Sequence, residues 1–265
     1  MAIDNGPGRI DIDRDGDVVV VTIANEARAN SLDDPMLKAL AEALGPESLG
    51  DARAVVLTGA GDRNFSGGVD LQARDGEALT DAVRTGERLL GRAAAAVEGC
   101  PVPVVCALNG NAFGGALEIA MAADWRIAAR GARFAMPPAK LGWVYAAEGI
   151  RRFVALCGAA NTRELFLTGH AVDAERARQM GMVNRVVDRL ELEDIAFADA
   201  LEIGKNGPIA VAGMRAVIKA IEDDAPPSEA AEIAERWRQR AFASSDIEEG
   251  LAAFREKREP DFTGE

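Results

Sequence analysis

Asn109-Gly110-Asn111-Ala112-Phe113-Gly114-Gly115-Ala116-Leu117-Glu118-Ile119-Ala120-Met121-Ala122-Ala123-Asp124 is the stretch on which the reading of the chain turns. An apolar run, Val102 to Leu108 with Pro103 inside it, ends there in the turn signal Asn109-Gly110. Small residues follow at Gly114-Gly115-Ala116, then an apolar segment holding one carboxylate, Glu118. The pattern predicts a strand, a glycine turn and a buried helix starting near Gly115. The first N–H groups of a helix lack intrahelical partners and carry the positive end of its dipole. Glycine has no Cβ, so another group can approach that backbone closely, and a developing negative oxygen suits it. Glu118 falls about one turn into the helix, within reach of a carbon held at its start. A glycine pair that only lets helix and strand pack, with Glu118 solvated or a buried structural acid, fits the same residues. A second stretch is needed to decide.

That stretch is Gly59-Ala60-Gly61-Asp62-Arg63-Asn64-Phe65-Ser66-Gly67-Gly68-Val69-Asp70-Leu71. It follows the buried-strand pattern Arg53 to Gly59 and is dense in glycine. Phe65 marks a return to the core, and Ser66-Gly67-Gly68 again opens backbone N–H groups to a visitor.

Around these two stretches, strands and helices alternate. Asp17 to Ala24 is a β-branched strand, and Met1 to Asp17 before it is acidic and polar. Arg28 is the one cation of the polar loop Asn25 to Asn30. Ser31 or Asp33 caps a helix with Pro35 in its first turn and Met36, Leu37, Leu40 and Leu44 on its apolar face. Gln72 to Asp81 reads as a charged, mobile segment, and Ala82 to Val97 as a helix with Leu89 and Leu90 inward. Trp125 to Ala129, Arg133 to Met136 and Val183 to Val187 read as extended. Leu141 to Tyr145 reads as a loop. Ala146 to Leu156, Asn161 to Thr168 and Asp173 to Met180 read as helices. Beyond Leu190 only amphipathic helices follow. The expectation is an α/β core over 1–190 and an α-helical region over 191–265.

Composition narrows the function. The chain has 265 residues, 48% of them hydrophobic, and a net charge of −13, so nucleic acid or an anionic membrane is not expected as its partner. Cys100, Cys106 and Cys157 are odd in number and unpaired in spacing, which argues against a disulfide framework. Cys106 reads as core filler. His170, the single histidine, follows Thr168-Gly169 in a surface turn, which argues against a multi-histidine metal site and a Ser-His-Asp triad. The N-terminus has neither a basic nor an apolar leader pattern, and no uninterrupted apolar run reaches the ~18 residues of a membrane span. A cytoplasmic protein with no metal is the expectation.

The two glycine stretches together resemble the crotonase superfamily, the enoyl-CoA hydratase/isomerase family. Phe65 to Leu71 is similar to the family's first motif, and Asn109-Gly110-x-Ala112-x-Gly114-Gly115-Ala116-x-Glu118 to its second. Arg126 to Ala129, Lys140-Leu141-Gly142, Thr168-Gly169, Gly181-Met182-Val183 and Phe254 to Arg258 fall in the family's order. The resemblance implies a spiral of ββα turns with a helical C-terminal region, assembled as a homotrimer or a dimer of trimers. It implies an acyl-CoA thioester as substrate, in the manner of fatty acid metabolism, with coenzyme A as part of that substrate and no separate cofactor. The thioester oxygen would sit between the N–H groups of Val69 and Gly115. Ser66, Gly67, Gly68, Asp70, Leu71, Gly114, Pro138 and Leu141 would line the substrate, and residues around Gln72 to Glu87 its acyl end. Arg28, Phe254 and Lys257 would meet coenzyme A, the last two from a neighbouring subunit; a solvated helix charge is the other reading of Lys257.

In the hydratases of that family two glutamates act. Glu118 matches the first; the second aligns with Pro138, and proline moves no proton. Tyr145 and Glu148 are the other candidates. Each has a plainer reading: Tyr145 as a core aromatic with a satisfied hydroxyl, Glu148 as a first-turn acid complementing a helix dipole. The segment Met136 to Tyr145 also looks like that of methylmalonyl-CoA decarboxylases, which carry a tyrosine there but a histidine where this chain has Val69. Three readings follow. One is a hydratase/isomerase-type enzyme using Glu118 with Tyr145 or Glu148. Another is a decarboxylase of a malonyl-CoA-type thioester using Tyr145. The third is a CoA-binding or scaffold homologue with little catalysis.

Overall fold

The computed structural model describes residues 8–70 and 79–265. The expectations for Leu71 and for the charged segment starting at Gln72 lie outside the described residues.

Ten strands and ten α-helices follow one another among the described residues. The strands are β1 (Arg9–Asp15), β2 (Val18–Ala24), β3 (Ala54–Gly59), β4 (Asn64–Ser66), β5 (Val104–Leu108), β6 (Asn111–Phe113), β7 (Trp125–Ala129), β8 (Arg133–Ala135), β9 (Val172–Asp173) and β10 (Arg185–Val187). The helices are α1 (Asp34–Ala43), α2 (Pro46–Leu49), α3 (Leu79–Glu98), α4 (Gly115–Met121), α5 (Ala147–Thr168), α6 (Ala174–Gln179), α7 (Leu192–Gly204), α8 (Pro208–Glu222), α9 (Pro227–Ala243) and α10 (Asp246–Glu256).

The repeat is physical rather than textual. β3-β4-α3, β5-β6-α4 and β7-β8-α5 are three successive strand–strand–helix turns. The first strand of each turn joins a sheet of order β1-β2-β3-β5-β7-β10, and the second joins a sheet of order β4-β6-β8-β9. β2, β3, β5, β7 and β10 run parallel, as do β4, β6 and β8. Parallel strands covered on both faces are apolar throughout, and every residue of β3 and β5 is buried. One core, holding Phe65, Leu108, Phe134 and Phe153, fills the space between sheet and helices. Val56, Val105 and Ile127 pack on the other face against Leu192, Ala196 and Ala200 of α7. The C-terminal region is helical, as read. Asp33, not Ser31, caps α1 by accepting from the Met36 N–H at 2.9 Å.

The polar N-terminus holds a strand that sequence reasoning did not assign: Arg9–Asp15 runs antiparallel to β2 from Arg9↔Ala24 to Asp15↔Val18. It is an edge strand whose Arg9, Asp11, Asp13 and Asp15 share one face of the sheet. Its backbone is satisfied by β2, so it needs little apolar signal of its own.

Candidate active site

The fold brings the two glycine stretches together through adjacent parallel strands. β4 and β6 pair at Asn64↔Asn111 and Ser66↔Ala112, so the chain leaves both at the same end of the small sheet. Asn109, 3% exposed, ties the loops behind them. Its side-chain N–H groups donate to the Gly59 and Gly61 carbonyls at 2.7 and 2.8 Å. Gly110 is glycine because a Cβ there would lie 2.2 Å from the Arg63 carbonyl oxygen.

On the first turn, Ser66 Oγ accepts from the Gly68 N–H at 3.1 Å, and the Gly67 N–H donates to the Ala29 carbonyl at 2.8 Å. Gly68 has φ +97°, and a Cβ on it would meet the Phe113 carbonyl oxygen at 2.6 Å. The Leu32 N–H donates to the Gly68 carbonyl, and the Asp70 N–H to the Leu32 carbonyl, each at 2.8 Å. That parallel bridge leaves the Val69 N–H on the opposite side. On the second turn, Gly114 adopts φ +53° and its N–H donates to the Ala135 carbonyl at 2.9 Å. Gly115 opens α4, and a Cβ on it would lie 3.0 Å from Val69 Cγ2. Among the described residues neither the Val69 nor the Gly115 N–H donates a hydrogen bond. Both residues line one cavity of about 120 Å³ with Gly67, Gly68, Gly114, Pro137, Pro138, Leu141, Trp143 and Tyr145.

A second cavity, of about 530 Å³, is lined by Glu118, Tyr145, Glu148, Gly149 and Arg152 together with Arg84, Glu87, Arg88 and Arg92. Tyr145 is common to both cavities, whereas Glu118 lines only the second. A cavity of about 620 Å³ behind Arg152 is larger still, but neither Glu118 nor Tyr145 lines it.

Glu118 is 3% exposed, and both of its oxygens are engaged. Oε2 accepts the Tyr145 hydroxyl at 2.5 Å, and Oε1 accepts from Arg152 Nη1 at 3.0 Å. Arg152 Nη2 donates to Glu98 Oε2 at 2.8 Å. Glu98 also receives Arg151 at 3.0 Å and stands 3.5 Å from Lys219 Nζ. Burial pushes the Glu118 carboxyl above its usual range, although the Tyr145 hydrogen bond and the Arg152 charge oppose the shift. Tyr145 is pushed well above its usual value by burial and then by the Glu118 charge. Burial also acts upward on Glu98, but Arg152, Lys219 and Arg151 outweigh it and hold that carboxyl low. The Tyr145 ring is fixed edge-on against Phe166 at 5.6 Å, and Phe166 against Phe153 at 5.1 Å.

The other expected residues fall in several places. Arg28 Nη1 pairs with Asp70 Oδ2 at 2.7 Å, beside the first turn. Pro138 is buried, and Leu141 is 60% exposed at the rim of the small cavity. Glu148 is exposed in the first turn of α5 and makes no hydrogen bond or ion pair among the described residues. Phe254 and Lys257 stand exposed at the end of α10 and line neither cavity in this single chain. Arg152 and Glu98 were not singled out from sequence. The available signal was spacing: Gly149, Arg152 and Phe153 share the buried face of α5.

The sequence model of the enoyl-CoA hydratase/isomerase family matches residues 13–265. The chain belongs to the enoyl-CoA hydratase/isomerase family. That family acts on acyl-CoA thioesters. The chain is 34% identical over 257 residues to a carnitinyl-CoA dehydratase of Salmonella enteritidis, covering 95% of this chain and 97% of that protein. The crystal structure of an enoyl-CoA hydratase from Bacillus anthracis is similar at a TM-score of 0.91 and 33% identity, covering 97% of this chain and 100% of that one. An enoyl-CoA hydratase/carnithine racemase from Magnetospirillum magneticum is similar at a TM-score of 0.88 and 32% identity, covering 100% and 97%.

Proposed function

We propose that this member of the family is an acyl-CoA enzyme that stabilises a thioester enolate between the Val69 and Gly115 N–H groups and moves protons with the Glu118–Tyr145 pair. One observation carries the reading. Among the described residues, Tyr145 is the side chain lining the small cavity with those two amides that has a proton suited to acid–base transfer, and its hydroxyl is bonded to Glu118. Each amide supplies about 3–4 kcal/mol to a developing oxyanion in a dry site.

For hydration, the atoms balance with one carboxylate. Glu118 takes a proton from water as the water oxygen bonds the β-carbon. The alkene π electrons move to the thioester oxygen, and the same acid returns its proton to the α-carbon. Tyr145 holds Glu118 Oε2 and orients the group that faces the reacting carbons. Pro138 supplies no second acid, so proton delivery and water activation fall to one site. Arg28, anchored by Asp70, is the loop cation for coenzyme A. Phe254 and Lys257 reach the nucleotide of a neighbouring subunit in a homotrimer or dimer of trimers. The exposed Met214, Ile218 and Ile221 of α8 suit such an interface. The protein acts in the cytoplasm with no cofactor beyond the coenzyme A of its substrate.

A second reading, decarboxylation of a malonyl-CoA-type thioester, is favoured by Pro137 and Pro138 beside Tyr145 in the small cavity. Loss of CO₂ breaks the carbon–carbon bond and itself delivers the electron pair to the enolate. The apolar wall would then favour the departing group, and the tyrosine hydroxyl would orient it.

Incubation with crotonyl-CoA and with methylmalonyl-CoA separates these readings, followed by loss of enoyl absorbance and by CO₂ release. Turnover of the first supports hydration, and of the second decarboxylation. Binding of both without turnover leaves a CoA-binding homologue. Glu118→Gln lowers kcat for the active substrate by about 10²–10⁴-fold with coenzyme A binding retained. An unchanged kcat removes Glu118 from the chemistry.

A further inference from the structure

Three arginines of α3, Arg84, Arg88 and Arg92, follow one another at every fourth position and line the 530 Å³ cavity that holds Glu118 and Tyr145. At the helical rise their Cα atoms are about 6 Å apart, along about 12 Å of one helix face. Among the described residues none of the three hydrogen-bonds or pairs with a carboxylate. The fourth arginine of the same cavity, Arg152, is by contrast paired with Glu98 and Glu118.

Three carboxylates face the same cavity. Glu118 is held by Arg152 and Tyr145, Glu87 accepts from Trp143 Nε1 at 2.7 Å, and Glu148 is unpaired. Among the described residues four guanidinium groups, Arg152 included, therefore face three carboxylates across this cavity, and Arg84, Arg88 and Arg92 have no acidic partner. The chain as a whole carries a net charge of −13, so its overall field repels anions, and this face of α3 is a local cluster of positive charge within it. Guanidinium groups in a row match carboxylate oxygens two by two.

We infer that Arg84, Arg88 and Arg92 select acyl-CoA thioesters whose acyl group ends in a carboxylate. The inference rests on the acyl-CoA reading above and adds the chemistry of the acyl end. An apolar acyl terminus gains nothing from this wall, and a terminal quaternary ammonium is repelled by it.

Calorimetric titration of the full chain with saturated thioesters, which present no double bond to hydrate, tests it: glutaryl-CoA, pentanoyl-CoA, 4-(trimethylammonio)butanoyl-CoA and free coenzyme A. The expected result is glutaryl-CoA binding about tenfold or more tighter than pentanoyl-CoA, with the trimethylammonium thioester weakest. High salt narrows the gap. Arg88→Gln with Arg92→Gln removes most of the glutaryl preference and leaves pentanoyl-CoA and free coenzyme A unchanged. Equal binding of glutaryl-CoA and pentanoyl-CoA by the wild type overturns the inference and leaves the acyl-CoA reading standing. An equal loss for all ligands in the double variant, free coenzyme A included, assigns the arginines to the phosphates and overturns it too. Binding of none of the four overturns both.

Discussion

The Tyr145 hydroxyl donates to Glu118 Oε2 at 2.5 Å, across 27 positions of sequence. The two residues that stood as separate candidates are one unit. Arg152 holds the other carboxylate oxygen, so Glu118 has no free rotation about its carboxyl group.

This coupling sets a pH dependence. A base acts when deprotonated, and burial raises the Glu118 pKa above 4.5. The acidic limb of kcat is therefore expected above the pH of an ordinary glutamate. Tyr145→Phe removes a hydrogen bond that lowers this pKa, so the limb moves to still higher pH. Stability runs with opposite signs at the two carboxylates. Glu118, raised on folding, weakens the fold as pH climbs from 4.5 through its folded pKa. Glu98, lowered on folding, contributes stability above 4.5 that is lost as pH falls through its folded pKa. A kcat profile whose acidic limb does not move in Tyr145→Phe contradicts the coupling.

Gly149 of α5 leaves room for the pair. A Cβ there would lie 2.6 Å from Tyr145 Cε1 and 3.0 Å from Glu118 Oε2. Gly149 lies inside a helix, where alanine suits the backbone. Gly149→Ala is expected to keep its helical circular dichroism while kcat falls by about 10²-fold, as a misplaced catalytic pair does. Full activity in this variant would mean that the pair tolerates displacement.

Arg152 is 6% exposed and sits between two carboxylates. Arg152→Met leaves Glu118 buried without its cation and costs about 3–5 kcal/mol of stability. Chemical denaturation measures the loss. It should be smaller at low pH, where Glu118 is protonated. A loss independent of pH would point to packing alone.

Asn109 is the buried bolt between the two glycine stretches. Asn109→Ala strips the Gly59 and Gly61 carbonyls of their shared donor, at about 1–3 kcal/mol for each group left unsatisfied. The expected signature is lowered stability together with lowered activity, since the cost falls on the loop between β3 and β4, and β4 leads into the turn of Val69. Thermal unfolding and kcat, measured on one preparation, test it.

Much of this protein is written in short-range terms. The β-branched run of β2, the glycine turns at Gly68 and Gly114 and the capped helix at Asp33 follow from backbone sterics and local donors, which act over a few residues. Burial of β3 and β5 follows from apolar runs too short for a helix. β1 escaped because an edge strand takes its stability from a partner's backbone rather than from its own side chains, and Arg-Ile-Asp-Ile-Asp-Arg-Asp looks polar in isolation.

The site divides along the same line. Glu118, Val69 and Gly115 are marked by the turns that carry them. Tyr145 and Glu148 stood as alternatives in sequence, and packing distinguished them: both line the larger cavity, but Tyr145 bonds Glu118, whereas Glu148 makes no hydrogen bond or ion pair among the described residues. The Glu118–Arg152–Glu98 chain spans 34 and then 54 positions. No local preference encodes it, because a buried charge gains its partner only where the folded helices bring one within hydrogen-bond reach. Local chemistry determined the elements and the two turns; the crossing of α3, α4 and α5 decided which charges meet.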